Sequence, residues 1–392
     1  MIKLVRFAAI AVGISPLAVF AQQPAGDTTK PAPPPASPPA AAPVPVDFSG
    51  VIYANYQYRG DRGASKSQNR FDLERAYLTF RMPAGDRASI RITADVFQQT
   101  NAPNDAFYKG WVIRAKYAYL QYDLVKRATW SANVRGGLLH NVVIDHIESF
   151  WPRWITNSPV ERAGFFSSSD AGLATLWTLP NKLGEFYATI VNGPGYTSRE
   201  TDRFKDYAAR LTITPLGNSD NKVLKTFALS GWTYVGAVAS SFASGGTGQI
   251  GPVDSSLPRT RAGLFAGVKD PRLSAGIEWD TRKDGTEGGA NTLASPRVEI
   301  DSTGRLIAGF VTIKPFQLLN GASVFPLGLI ARLDRFTPNT SFDGYVNTVI
   351  AGLTWDLNKK SALALDYQEQ TPHSGAVAAA TKTYFLHLVA NF

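Results

Sequence analysis

The chain contains no cysteine. A disulfide framework, a thiolate metal site and a cysteine nucleophile are therefore excluded. Histidine is scarce, with 4 residues in 392. The sequence has no His-Glu-x-x-His, no Walker A segment, no glycine-rich dinucleotide motif and no Gly-x-Ser-x-Gly elbow. After residue 46 no apolar run approaches the roughly 18 residues that a membrane-spanning helix needs. Basic runs are missing too. The formal charge is +9, yet Lys and Arg are scattered singly. That distribution argues against a nucleic-acid patch and leaves anion traffic open.

Aromatics are plentiful, with Trp 8, Tyr 15 and Phe 22, and hydrophobic residues make up 44%. Such a chain is not disordered. Its first 46 residues differ in kind from the rest. Residues 1–21 read as a secretory leader, with Lys3 and Arg6 before an apolar stretch and small residues at Val19 and Ala21. Residues 22–46 form a Pro/Ala tract that can make neither helix nor ladder, because proline has no N–H to donate. It is expected to be a polyproline spacer on the periplasmic side. Contact with peptidoglycan is its alternative role.

From residue 47 onward one theme repeats: period-2 alternation over about ten residues, closed by turn residues. Ala88, Ile90, Ile92 and Ala94 oppose Ser89, Arg91, Thr93 and Asp95. Tyr207, Ala209, Leu211 and Ile213 oppose Asp206, Arg210 and Thr212. Strands are expected near 47–58, 70–82, 87–99, 111–123, 128–139, 169–179, 184–192, 203–215, 223–235, 259–269, 271–282, 303–314, 323–336, 343–356, 361–370 and 381–392. The connections alternate long and short. Long ones such as 100–110, 140–168 and 236–258 are followed by tight turns such as Pro83-Ala84-Gly85-Asp86 and Leu357-Asn358-Lys359-Lys360. Hydrocarbon demands that every backbone N–H and C=O be paired, and only closure removes sheet edges. The expected fold is all-β: one transmembrane antiparallel barrel over 47–392, of about 16 strands, with a lumen wide enough for water.

The last strand carries Tyr384, Leu386, Leu388, Ala390 and Phe392 on one face and ends on an aromatic. It resembles the sorting signal of bacterial outer-membrane proteins, which implies handling by the barrel-assembly machinery and residence in outer-membrane lipid. The segments Arg70-Phe71-Asp72-Leu73-Glu74-Arg75-Ala76-Tyr77-Leu78-Thr79-Phe80, Tyr117-Ala118-Tyr119-Leu120-Gln121-Tyr122 and Val134-Arg135-Gly136-Gly137-Leu138-Leu139 resemble the phosphate-selective (O/P-type) 16-stranded porins in order and spacing. That resemblance implies a passive channel in the outer membrane of a Gram-negative-type bacterium, a homotrimer, and a third external loop folded into the lumen. The chain departs from the pattern in its proline-rich arm, and no lysine-rich cluster of the kind a phosphate trap requires is visible.

The third external connection, 140–168, is also the longest. It holds His140, Asp145, His146, Glu148, Arg153, Glu161 and Arg162 beside Trp151, Trp154, Phe165 and Phe166. Its aromatics are expected to pin it to the inner wall, with His146, Glu148, Arg153, Glu161 and Arg162 lining a constriction. Parity places Arg75, Arg81, Arg91, Arg135, Arg210, Arg261 and Arg332 on the lumen side, where fixed positive charge favours anions. Asp95, Asp206, Glu278, Asp280 and Asp334 face the same way and are expected to pair with these arginines and blunt selectivity. The expected function is a weakly anion-preferring pore for small hydrophilic solutes, phosphate or other oxyanions among them, with no cofactor or metal. Two alternatives from other classes are a structural or adhesive barrel tethered to the cell wall and a barrel-borne hydrolase.

Overall fold

Alternating apolar and polar residues favour extended backbone, and β-branched and aromatic side chains pack well on a pleated surface. The computed structural model describes residues 45–61, 66–99, 110–239, 256–288, 298–320, 325–374 and 380–392. The expected leader and proline-rich spacer lie outside these residues, apart from Pro45 and Val46. Within the described residues there are sixteen strands. They are β1 (Asp47–Arg59), β2 (Asn69–Pro83), β3 (Ala88–Gln99), β4 (Gly110–Lys126), β5 (Ser131–His140), β6 (Ser169–Thr178), β7 (Gly184–Val191) and β8 (Asp206–Ile213). The remainder are β9 (Ala228–Ala239), β10 (Ser256–Asp270), β11 (Leu273–Gly288), β12 (Val298–Ile313), β13 (Leu327–Thr337), β14 (Tyr345–Asp356), β15 (Ser361–His373) and β16 (Thr381–Asn391). Each pairs antiparallel with its sequence neighbours, and β1 pairs with β16, so the sheet closes.

The strands fall where alternation places them, with three departures. The run expected as strand from 223 begins at Ala228 instead. Asn221 Oδ1 accepts from the N–H groups of Val223 and Leu224, and this side-chain bond starts a short 3-10 turn over Leu224–Thr226. The strand expected from 323 begins at Leu327, preceded by a short helix, Pro315–Asn320, in the connection. Finally, β11 and β12 continue pairing well into the connection expected over 283–302, as far as Gly288 with Val298.

The outer face is apolar. Phe71, Ile113, Leu173, Leu264, Ile277, Leu333 and Leu365 are all exposed there. Aromatic side chains gather at both rims. At the short-turn end Phe48 packs with Phe80 and Phe392, Trp130 stacks on Trp177, and Phe325 meets Trp355. At the long-loop end Tyr384 contacts Tyr58 and Tyr367, and Tyr56 contacts Phe71. An apolar band between two aromatic girdles, on strands paired into a closed sheet, suits hydrocarbon.

Two β-bulges change which side chains face inward. Tyr53 pairs with Arg75 but Ala54 with Leu73, which leaves Glu74 as an extra residue in β2. Thr93 pairs with Tyr117 but Ala94 with Ala115, which leaves Lys116 extra in β4. An extra residue bends the strand and re-aims its side chains. Both Glu74 and Lys116 point into the barrel as a result, as their partners below show.

The seam is closed by the chain's last residues. Phe392 N–H donates to Gly50 O and Gly50 N–H to Phe392 O, each at 3.0 Å. The Phe392 ring lies where a side chain on Gly50 would be; a β-carbon there would stand 2.2 Å from Phe392 Cζ. Only glycine leaves room for that aromatic to cover the seam.

Candidate functional site

The segment between β5 and β6 begins with an Asx turn. Asn141 Oδ1 accepts from Val143 N–H at 2.8 Å and Ile144 N–H at 3.4 Å. That turn leads into α1 (Ile144–Glu148). A second turn of helix, α2 (Pro159–Arg162), starts with proline at its first position, where no N–H is needed. Ile144, Ile147, Trp151, Ile155, Val160 and Phe165 are each no more than 1% exposed.

Their partners are inward-facing side chains spread around the barrel. Phe150 meets Phe265 of β10, Trp151 meets Phe310 of β12, and Phe165 meets Phe336 of β13. Phe166 packs on Trp232 and Tyr234 of β9, and Trp154 on His387 of β16. Burying an aromatic side chain of this size is worth about 1.5–3 kcal/mol. The wall also satisfies the segment's backbone, since buried carbonyls need donors. Arg332 donates to Asn157 O at 2.6 Å, Gln368 to Ile155 O at 3.2 Å and Arg282 to Gly164 O at 2.9 Å.

The residues expected to line a constriction, Glu161 excepted, are held by named partners. His146 Nε2 is 2.8 Å from Ser230 Oγ. Arg153 donates to Glu74 Oε1 at 2.8 Å and lies 3.3 Å from Glu148. Arg162 reaches Gln368 and Thr156, each at 3.3 Å. Glu161 Oε2 is buried and accepts no hydrogen bond among the described residues. Burial pushes the Glu148 carboxyl up to about 8, against the pull of Lys116 and with the push of Glu161. Burial likewise lowers His146, helped by the charges of Arg210 and Lys269, so its imidazole is neutral.

All seven wall arginines lie on inward parity, but their surroundings differ. Arg75 pairs with Asp95 at 2.9 Å, Arg210 with Glu185 at 2.5 Å and Arg261 with Asp284 at 3.0 Å. Arg332 is sealed beneath the loop segment, 1% exposed and paired with Asp334 at 2.5 Å. Burial takes it out of contact with water, which corrects the expectation that it lines the channel. Arg81 sits at the short-turn rim, 3.9 Å from Asp47.

Arg91 and Arg135 stand apart, because among the described residues neither pairs with a carboxylate. Arg135 donates to Gln121 Oε1 at 3.0 Å and lies over the Tyr119 ring. Arg91 Nη1 is 2.9 Å from His140 Nε2. A guanidinium has only donors, so His140 Nε2 accepts and its proton sits on Nδ1, 3.2 Å from Asp145 Oδ2. Tyr117 donates to the other Asp145 oxygen at 2.7 Å. The chain Arg91–His140–Asp145–Tyr117 thus ties the wall to α1.

The expected pairing of inward acids with these arginines holds for Asp95 with Arg75 and for Asp334 with Arg332, whereas Asp206 lies 3.5 Å from Arg259 instead. It fails for Glu278 and Asp280, which are 2% and 0% exposed and pair with no cation among the described residues. Three contributors escape strict alternation. Glu74 and Lys116 face inward only because of the bulges; Lys116 donates to Tyr77 OH at 3.1 Å. Arg114, beyond the second bulge, donates to Asp95 at 3.0 Å and to Tyr196 OH at 2.7 Å.

Two recesses flank the loop segment along β6 to β10. One, toward the long loops, is lined by Asp170, Arg259, Arg261, Tyr234 and Phe166. The other, toward the short turns, has a volume of about 460 Å³ and is lined by Lys182, Glu185, Thr212, Lys225 and Lys269 below His146 and Phe150. Tyr384, Leu386 and Leu388 of the expected assembly signal all face outward.

No family model and no curated protein matches the chain by sequence. Solved structures match it in shape. The outer membrane channel DcaP of Acinetobacter baumannii superposes with a TM-score of 0.59 at 13% identity, over 90% of this chain and 99% of that one. The fold is that of the outer-membrane porins. An anion-selective porin from Comamonas acidovorans gives 0.59 at 11% identity, over 89% and 100%. OmpT of Vibrio cholerae, folded in vitro and solved in a trimer form, gives 0.55 at 9% identity, over 89% and 99%. At such identities the likeness to porins is one of architecture.

Proposed function

We propose that the chain is an outer-membrane porin: a passive channel for small hydrophilic solutes, with a weak preference for anions, oxyanions such as phosphate among them. The observation that carries this reading is the pair Arg91 and Arg135, inward-facing and without a carboxylate partner among the described residues, beside a loop held to the wall. Fixed guanidinium charge lowers the entry barrier for anions. Paired arginines contribute little field, which is why the preference is weak. The loop segment 141–168 narrows the passage, with Glu148, Arg153, Glu161 and Arg162 at its edge. The chain works as a homotrimer, as the trimer form of Vibrio cholerae OmpT suggests. Residues 1–21 direct export, and 22–46 act as a spacer on the periplasmic side.

A second reading draws on the same loop. Its contacts with β9, β10, β12, β13 and β16 are those of a plug, so a closed structural barrel fits the packing equally. Single-channel recording of the refolded protein in a planar bilayer under a salt gradient separates the two. Stable open steps with a reversal potential on the chloride side support the porin. A silent membrane containing folded barrels overturns it in favour of the plug. Cation preference would keep the channel and discard the arginine argument.

A further inference from the structure

We infer that the outer wall binds an anionic phospholipid of the periplasmic leaflet, with the phosphate at Arg87 and an acyl chain in the groove beside it. The inference concerns the lipid side of the barrel and goes beyond the channel reading. Arg87 stands in the turn between β2 and β3, exposed at the short-turn rim. Its Nε donates to Asp123 O at 2.9 Å and its Nη2 to Leu124 O, and its guanidinium lies 5.2 Å from the centre of the Tyr122 ring. Tyr122 pairs with Ala88 on the outward parity of β4 and is 42% exposed, so the guanidinium is held on the lipid side of the wall. The two carbonyls take two of its five N–H groups. Three remain, and no carboxylate among the described residues pairs with them. Lys126 and Arg127 are exposed on the next short turn, and neither pairs with a carboxylate among the described residues. Asp86 is the one exposed acid on these two turns.

The chemistry selects the lipid. A guanidinium fixed by carbonyls and an aromatic face, with part of its planar fork still open, suits a phosphate group. Lys126 and Arg127 favour a headgroup whose net charge is negative, because the ammonium of a zwitterionic headgroup would meet them with like charge. The apolar part of the same ligand has a place too. From Tyr122 a groove of about 800 Å³ follows the outer wall, with Leu120 and Val134 on one side and Ile190 and Tyr207 on the other. Gly136, Ala188 and Ala209 line it with little side chain and keep it open. Its volume falls within the range of organic ligand pockets. The groove joins the rim at the same tyrosine that carries Arg87, so one molecule can occupy both. Short turns in this fold face the periplasm, which places the headgroup in the leaflet on that side.

The test uses the full chain refolded in detergent and titrated with phosphatidylglycerol, phosphatidylcholine and glycerol 3-phosphate, with bound molecules counted by native mass spectrometry. The first phosphatidylglycerol is expected to bind about tenfold more tightly than the first phosphatidylcholine, and glycerol 3-phosphate not at all, since it has no chain for the groove. Arg87→Gln should bring phosphatidylglycerol down to the level of phosphatidylcholine. Gly136→Leu should weaken both lipids, because a β-carbon there already stands 3.3 Å from Leu173 Cδ2 and a longer side chain fills the groove. Arg305, an exposed cation of β12 near the long loops, serves as the control, and Arg305→Gln should leave the preference intact. Folding of each variant is checked by heat-modifiable gel mobility. Equal affinity for the two lipids, an Arg87→Gln variant that keeps the preference, or loss of the preference in Arg305→Gln would overturn the site. Tight binding of glycerol 3-phosphate would assign Arg87 to free phosphate and overturn the lipid. A Gly136→Leu variant with unchanged lipid affinity but fewer chains per particle would make the groove a contact between copies instead.

Discussion

Arg91 and Arg135 carry the selectivity argument, and each owes its freedom to a neutral partner. Replacing either with alanine should shift the reversal potential in a tenfold KCl gradient toward zero, the double variant furthest. A shift toward greater anion preference would refute their role. Glu148 adds a dependence on pH. Its carboxyl, raised to about 8 by burial, with Glu161 and Asp145 adding to the rise and Lys116 and Arg153 opposing it, is neutral below that value and negative above it. Lowering the pH from 9 to 7 therefore removes negative charge beside the passage, and anion preference should strengthen. Recordings across this range test the sign, and Glu148→Gln should flatten the response. The residues that alternation hid explain why the site was only partly legible. Glu74 and Lys116 sit at bulges, where one extra residue inverts the parity of everything beyond.

The strands themselves were legible because their signal is local: two-residue periodicity, ended by proline, glycine and asparagine. Elements that depend on distant partners were not. The short helix Pro315–Asn320 occupies an apolar stretch that alternation could not sort, and α1 is held by β4, β5 and β9. The loop segment was marked by its length and aromatics, but not the identity of its contacts. Its attachment makes a direct prediction. Trp151→Ala removes the fully buried indole packed on Phe310, and comparable truncations cost about 3–5 kcal/mol. That loss falls on the loop rather than on the hydrogen-bonded wall. Single-channel conductance should rise, or become noisy, while circular dichroism keeps its β-sheet signature. Unchanged conductance would show that the loop does not limit the passage.

At the scale of the whole molecule, stability rests on closure. Gly50→Val places side-chain carbon where the Phe392 ring lies. It should lower the fraction of protein that migrates as folded on an unheated gel, and deletion of Phe392 should do the same. Normal folding of both variants would show that the aromatic at the seam is dispensable. The pairing of Val51 with Asn391 and Tyr58 with Tyr384 has a further meaning, in time rather than in space. Every other strand pair joins neighbours in the chain and can form as a hairpin. This one joins the first strand to the last, so its loop entropy falls due in a single late step. Until β16 arrives, β1 carries a row of open donors and acceptors, and so does whichever strand is newest. The protein is thus unsafe for as long as it is unfinished. Its lifetime as an incomplete sheet, rather than the strength of any one contact, decides whether a given molecule becomes a barrel or an aggregate.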